Sequence, residues 1–349
     1  MGSLDIAHSK KGDDDGAGRT LYRQRRMRLA VIVNPSARAF TRSPGLVSEL
    51  RALVEARGGR ASAFYVTRDL AELDEVAREI AGDERSVVAL AGGDGTLMAG
   101  LSALALAHGD RPLPAVSLVP AGTVATVARN LGLAHRPLPA LRALLEAGDR
   151  ARTTRQATLR VRTTRGSGEV EERVGLIFGT GLVARFFDVY DERGARGLAS
   201  ALGITARVFA ESFVGGPFAR RVLEPLPCRI EVDGRELSPR AYSLVCAATV
   251  RDLGLHMRVT YRAGERPDRV HLVASSLSPR ELGPRCPRVL AGRTIGGREH
   301  FDELVSSFLV HLGADLDGGG EGPYVLDGDA LKGRSVEVSP GPELRIAHG

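Results

Sequence analysis

Tryptophan is absent from the 349 residues, and cysteine occurs only three times, at Cys228, Cys246 and Cys286. The three are odd in number, far apart and free of any CxxC pair, which argues against a disulfide framework and a zinc site. Lysine is scarce as well: of 48 basic residues only Lys10, Lys11 and Lys332 are lysine, and the others are arginine. No apolar run approaches the roughly 20 residues that span a bilayer. No apolar h-region follows Met1, so no secretory signal is expected. The expected setting is a reducing cytoplasm. The eight histidines show no HExxH spacing, and no GxSxG nucleophile elbow is present.

What is present describes a folded protein. Apolar residues make up 43% and charged residues 26% of the chain, the proportions of a globular domain rather than a disordered one. The length suits two domains, each able to bury a core. The arginine excess and the formal charge of +6 fit either a solvated surface or a basic face for phosphates or an anionic membrane. Composition does not choose between them.

Residues 1–27 are polar and charged and are expected to form a disordered tail. Beyond them strands and helices alternate. Apolar runs at Leu29–Val33, Ala61–Val66, Ser86–Ala91 and Val116–Val119 read as strands. Helical spacing marks Gly45–Ala56, Leu70–Ala81, Thr96–Ala107 and a segment through Asn130. Strands without surface-type alternation indicate a parallel sheet covered on both faces, with ligands at the carboxyl ends of its strands. After about residue 150 the pattern becomes short strands at Ala157–Val161, Val174–Phe178, Arg229–Val232, Ala241–Ala248, Met257–Tyr261, Val270–Ala274, Arg288–Thr294 and Ser335–Val338. One helix is expected near Leu198–Phe213. The expected division is an α/β domain over 28–150 and a mainly β domain over 151–349. Phe186, Phe187, Phe209, Phe213 and Phe218 could line an acyl-chain groove, but their roughly helical spacing favours core.

The segment SVVALAGGDGTLMA (86–99) carries the chemistry. An apolar strand runs into Gly92-Gly93-Asp94-Gly95-Thr96 and then into a helix. Glycines let backbone N–H groups approach a phosphate, and the helix N-terminus adds partial positive charge. The Gly-Lys-Ser/Thr ending of a P-loop is missing, and Met98 stands where the last glycine of GxGxxG would fall. A carboxylate beside phosphates needs a cation or a hydroxyl donor as partner. Asp94 therefore either binds Mg²⁺, directly or through water, or accepts a proton from a phosphoryl acceptor; alternatively it caps its helix. A second turn of similar design, Pro120-Ala121-Gly122-Thr123, is expected beside the first at the same sheet edge.

Together VIVNP (31–35), GGDGTL (92–97), PAGT (120–123) with Ala128-Arg129 and Leu131–Leu133, and YVLDGD (324–329) resemble the diacylglycerol kinase catalytic-domain family. That family includes bacterial lipid kinases, sphingosine kinases and ceramide kinases. The resemblance spans about residues 28–346. It implies an N-terminal α/β domain similar to those of phosphofructokinases and NAD kinases, followed by a β-sandwich. It also implies ATP with Mg²⁺ and phosphorylation of a lipid hydroxyl, diacylglycerol-like or, alternatively, sphingoid or ceramide.

The resemblance places Asn34, Thr67, Gly92, Gly93, Asp94, Gly95, Thr96, Leu97 and Thr123 on the nucleotide. Arg38, a departure where the family has glycine, is expected as a further phosphate contact. Asp329 takes the place of the family's catalytic acid, usually Glu, with Asp94 as rival base; Asp327-Gly328-Asp329 also fits a hairpin turn. Met98-Ala99 replace the family's Asn-Glu, Ala125 an Asn, and Val183 and Arg185 acids of its subfamilies. These departures leave a second reading, a catalytically weak nucleotide- or lipid-binding relative. The expected partners are a lipid substrate and, transiently, the anionic inner face of a membrane. No nucleic acid is expected, and a homodimer is left open.

Overall fold

The computed structural model describes residues 27–60, 62–83, 85–122, 126–133, 136–192, 198–313 and 320–349. The expected tail lies outside these residues except for Met27, which is buried against the first sheet.

Five strands open the chain: β1 (Leu29–Val33), β2 (Ala63–Val66), β3 (Val87–Gly92), β4 (Ala115–Pro120) and β5 (Arg152–Gln156). Every residue of β1, β3 and β4 is buried, as expected of parallel strands with helices on both faces. On one face lie α1 (Arg38–Arg42), α2 (Gly45–Arg57) and, from further along the chain, α6 (Pro137–Ala147), burying Phe40, Leu50, Val54, Leu141 and Leu144. On the other lie α3 (Leu70–Gly82) and α4 (Asp94–His108). Helix α3 starts where Asp69 accepts the Glu72 N–H at 2.9 Å, and it buries Leu73, Ala77 and Ile80. A short α5 (Thr126–Asn130) follows β4.

The second half adds β6 (Leu159–Thr164), β7 (Val170–Gly175), β8 (Ile177–Gly181), β9 (Leu226–Val232), β10 (Arg235–Glu236), β11 (Ala241–Tyr242), β12 (Leu244–Ala248) and β13 (Val270–Ser275). It continues with β14 (His300–Val305), β15 (Phe308–Leu312), β16 (Gly322–Leu326), β17 (Asp329–Gly333), β18 (Ser335–Pro340) and β19 (Leu344–His348). Two antiparallel sheets form a sandwich: β10-β9-β15-β18-β6-β7, with β11 on β9, and β14-β13-β12-β8-β16-β17. Phe178 packs its ring 5.8 Å from both Phe308 and Tyr324 in the core between them. Helices α7 (Leu182–Glu192), α8 (Leu198–Val214) and α9 (Pro217–Leu223) connect β8 to β9. Among the described residues no helix is long and apolar enough to cross a membrane.

The fold is thus the expected α/β domain plus sandwich, and the structure revises its outline in several places. The first sheet runs β2-β1-β3-β4-β19-β5. The last strand of the chain pairs parallel with β4 and antiparallel with β5, so residues 152–156 and 344–348 cross the expected division at 150. The expected strand Val174–Phe178 breaks at Leu176, where the chain passes from one sandwich sheet to the other. Ala241–Ala248 breaks likewise at Ser243, whose N–H and hydroxyl both donate to the Ser275 carbonyl at 2.9 Å. Met257–Tyr261 forms turns, with Leu255 and His256 just before it at positive φ. Residues 286–290 are helical, because Pro287 suits the first turn of a helix and not a paired strand.

Helix α4 joins the two halves. Leu97, Leu101 and Leu104 enter the core beneath the parallel sheet, whereas Met98 enters the sandwich core. The Ser102 hydroxyl accepts the Val174 N–H at 2.9 Å and donates to the Met98 carbonyl at 2.8 Å. A helix that is apolar all round is explained by burial on both sides.

Candidate active site

The two glycine turns meet backbone to backbone. Ala121 donates its N–H to the Gly92 carbonyl at 2.7 Å. A side chain on Gly122 would begin 2.7 Å from the Gly93 Cα, and one on Gly92 would strike the Thr96 side chain at 2.3 Å. Glycine is therefore required at both contacts, and the juxtaposition expected for the two turns is realised. Gly93 precedes the first turn of α4, whose N–H groups have no acceptor within the helix and point towards the carboxyl edge of the sheet.

The expected nucleotide contacts gather around this edge. The Asn34 amide, at the end of β1, donates to the Thr96 hydroxyl at 3.0 Å, and its oxygen accepts the Ser36 N–H at 3.0 Å. These bonds fix Asn34 and lock the first turn of α4 to β1. Thr67 follows β2, is buried, and donates its N–H to Val33 at 3.0 Å. Arg38 starts α1 and is half-buried; the next residue, Ala39, donates to the Ala121 carbonyl at 2.9 Å. The Leu97 side chain is core, so only its backbone faces the turn. Thr123 and Ala125 lie outside the described residues.

The sandwich delivers two carboxylates to the same place. Strands β16 and β17 are joined through Asp327-Gly328, both with positive φ (50° and 96°), the pattern that Asp-Gly supplies in tight hairpins. Asp329 follows directly, and its Oδ1 lies 2.6 Å from the point where a Gly95 side chain would begin. The hairpin reading of this motif is thus realised, and the hairpin sets Asp329 against the glycine turn. Asp94 sits beside them, accepting the Val127 N–H at 3.3 Å and so tying α4 to α5.

Burial and the neighbouring acid charges raise the proton affinity of Asp327 and Asp329. The Asp329 carboxyl is pushed up by burial and by the charge of Asp94, while the Arg173 guanidinium opposes the rise. Asp327, only 5% exposed, is pushed up to about 8, chiefly by burial. Its carboxylate accepts the N–H groups of Leu176 at 3.0 Å and Ile177 at 2.8 Å, which counteract that rise, whereas Asp94 and Asp329 add to it. These bonds hold the chain where it changes sheets at Leu176.

Arg173 was not singled out by sequence reasoning. It lies on β7, pairs with Glu171, and approaches the Met98 sulfur at 3.9 Å. A lone arginine in an alternating strand carries no signal of the carboxylate across from it. Among the described residues no group of three or more His, Cys, Asp or Glu is arranged to hold a metal ion.

The departures from the family pattern acquire physical roles. Met98 is core, and Val183 lies against Gly179, where a side chain would meet it at 2.8 Å. Arg185 donates to the Glu224 carbonyl and lines a polar cavity of about 580 Å³ with Asp188, Glu192 and Arg221. Arg221 binds both Glu192 oxygens, at 2.5 and 2.6 Å. Phe187, one residue before Asp188, comes within 3.9 Å of the point where a Gly328 side chain would start. Phe218 is buried as expected of core, but Phe213 is exposed.

Residues 28–157 match the family model of the diacylglycerol kinase catalytic domain. No curated protein matches the chain in sequence. Solved structures similar to it include a diacylglycerol kinase from Bacillus anthracis str. Sterne, with TM-score 0.58 and 13% identity over 93% of this chain and 98% of that one. A proposed diacylglycerol kinase from the same organism gives 0.64 and 14% over 95% and 99%. A third gives 0.63 and 12% over 93% and 98%. At such identities the likeness establishes the fold, and it covers both domains.

Proposed function

From a diacylglycerol kinase catalytic domain in residues 28–157 as premise, we propose that this protein is an ATP-dependent lipid kinase that transfers the γ-phosphoryl group to a lipid hydroxyl. The observation that carries the reading is the contact of Asp329 with Gly95. It brings an acid of the sandwich onto the glycine turn best suited to phosphates, so donor and acceptor sides meet at one point.

In this reading the first-turn N–H groups of α4 and the backbone of the second turn hold the ATP phosphates, with Asn34 fixing Thr96. Asp329 accepts the proton of the lipid hydroxyl. The freed oxygen forms a bond to the γ-phosphorus as the bond from phosphorus to the β–γ bridging oxygen breaks, and ADP departs. A raised carboxyl pKa suits a base working near neutral pH. Asp94 is the weaker candidate for base because its Oδ1 already accepts the Val127 N–H. Its carboxylate is a hard oxygen donor of the kind that Mg²⁺ takes together with phosphates and water. Bound there, Mg²⁺ would neutralise charge on the transferring phosphoryl group. Arg173 keeps the Asp329 proton affinity from rising further. Peripheral association with the inner face of a membrane follows from the substrate class.

Incubation with labelled ATP, Mg²⁺ and a total lipid extract, followed by mass analysis of products, tests the proposal. A phosphorylated lipid is expected, and its mass separates diacylglycerol-like from sphingoid or ceramide acceptors. Demonstrable ATP binding with no labelled lipid in any detergent would instead support a binding protein.

A further inference from the structure

Helix α8 is apolar on both faces, yet among the described residues only one face is covered. Its only charged residues, Arg207 and Glu211, pair with each other at 2.7 Å. Ala201, Ile204, Val208 and Ser212 are buried against the sandwich side. At about 100° per residue, Leu202, Ala206, Phe209, Ala210 and Phe213 fall on one outward arc with Val214 at its edge. Leu202 is 48%, Phe213 53% and Val214 71% exposed. A soluble surface needs no such stripe, and contiguous exposed apolar area marks an interaction site.

The rim of the stripe is basic. Arg280 donates to the Val214 carbonyl at the helix end, and the Arg207 guanidinium lies 4.3 Å from the centre of the Phe218 ring. Arg220 and Arg221 are exposed on α9. Arg207 is paired with Glu211 and Arg221 with Glu192, and Asp188 and Glu224 lie beside Arg221, so among the described residues the rim's uncompensated positive charge is that of Arg220 and Arg280. We propose that the outward face of α8 is a bilayer-docking surface, its apolar stripe entering the interface and its arginine rim meeting anionic headgroups. The alternative occupant, a second copy of the chain, would set two arginine rims against each other about a two-fold axis.

The proposal rests on the lipid-kinase reading for its purpose. Helix α7 packs against α8 and also carries Phe187 next to Gly328, so the docking surface stands one helix away from the catalytic hairpin.

Flotation with vesicles of phosphatidylcholine and phosphatidylglycerol tests it. The triple variant Leu202→Ser, Phe213→Ser, Val214→Ser changes only exposed side chains, and its fold is checked by thermal unfolding. It is expected to bind vesicles at least tenfold more weakly than the unaltered protein while phosphorylating detergent-dispersed lipid at the same rate. Unchanged flotation of the variant overturns the proposal. So does a dimer of the unaltered protein that the variant converts to monomer, which would assign the stripe to self-association. If the unaltered protein floats through α8 but phosphorylates no lipid, the kinase reading falls and the docking surface stands. If lipid is phosphorylated in detergent and flotation ignores α8, the reverse holds.

Discussion

The Asp329 carboxylate occupies the space that a side chain on Gly95 would fill, with Oδ1 2.6 Å from that point. The two residues are 234 positions apart in the sequence and belong to different domains, so this contact defines how the sandwich closes on the glycine turn.

Gly95→Ala tests that closure. Alanine is favoured over glycine in a helix, so stability should not fall, but the added methyl displaces the carboxylate. A shift of about 1 Å in a reacting group lowers turnover by roughly 100-fold. The expected result is a fall of that order in kcat, larger than any loss of ATP affinity from the methyl on the phosphate-binding turn, read by steady-state kinetics and a nucleotide-binding titration.

Asp327 makes stability depend on pH. Its carboxyl titrates near 8 in the folded protein and at the ordinary 3.8 when unfolded. Between those values the folded chain holds a proton that the unfolded chain has lost, so stability falls as pH rises from about 4 to about 8. Denaturant unfolding without nucleotide or metal should show this slope, and Asp327→Asn should reduce it.

Met98 explains why α4 joins the domains. Met98→Ala empties a site in the sandwich core and should destabilise the protein by about 2–5 kcal/mol. Leu106→Ala, on the exposed side of the same helix, should change stability by less than about 0.5 kcal/mol. Urea unfolding of the two variants checks the contrast.

The sequence was most legible where burial was uniform and local. The all-buried runs of β1, β3 and β4, and the 3.6-residue spacing of Leu73, Ala77 and Ile80, identify elements whose neighbours are close in the chain. Helix α4 begins at Asp94, two residues before the periodic pattern does, because the glycine turn itself forms its first turn. What escaped was long-range. Nothing local marks Leu344–His348 as a strand of the first sheet, since its partners are Val116 and residues 152–156. The sheet change at Leu176 depends on a carboxylate about 150 residues away. In the site, the glycine turns, Asn34 and Asp329 were legible as motifs, whereas Arg173 and the anchoring bonds of Asp327 become visible only when β7 and the β16–β17 hairpin come together. Phe213 shares helical spacing with core residues and is exposed because the spacing of α8 is apolar on both faces.

Phosphoryl transfer by Asp329→Asn tests most directly whether Asp329 is the base. The substitution keeps the shape of the side chain and removes the proton acceptor. Lipid phosphorylation is expected to fall by at least about 100-fold while ATP binding is unchanged. Full turnover by this variant would contradict that role.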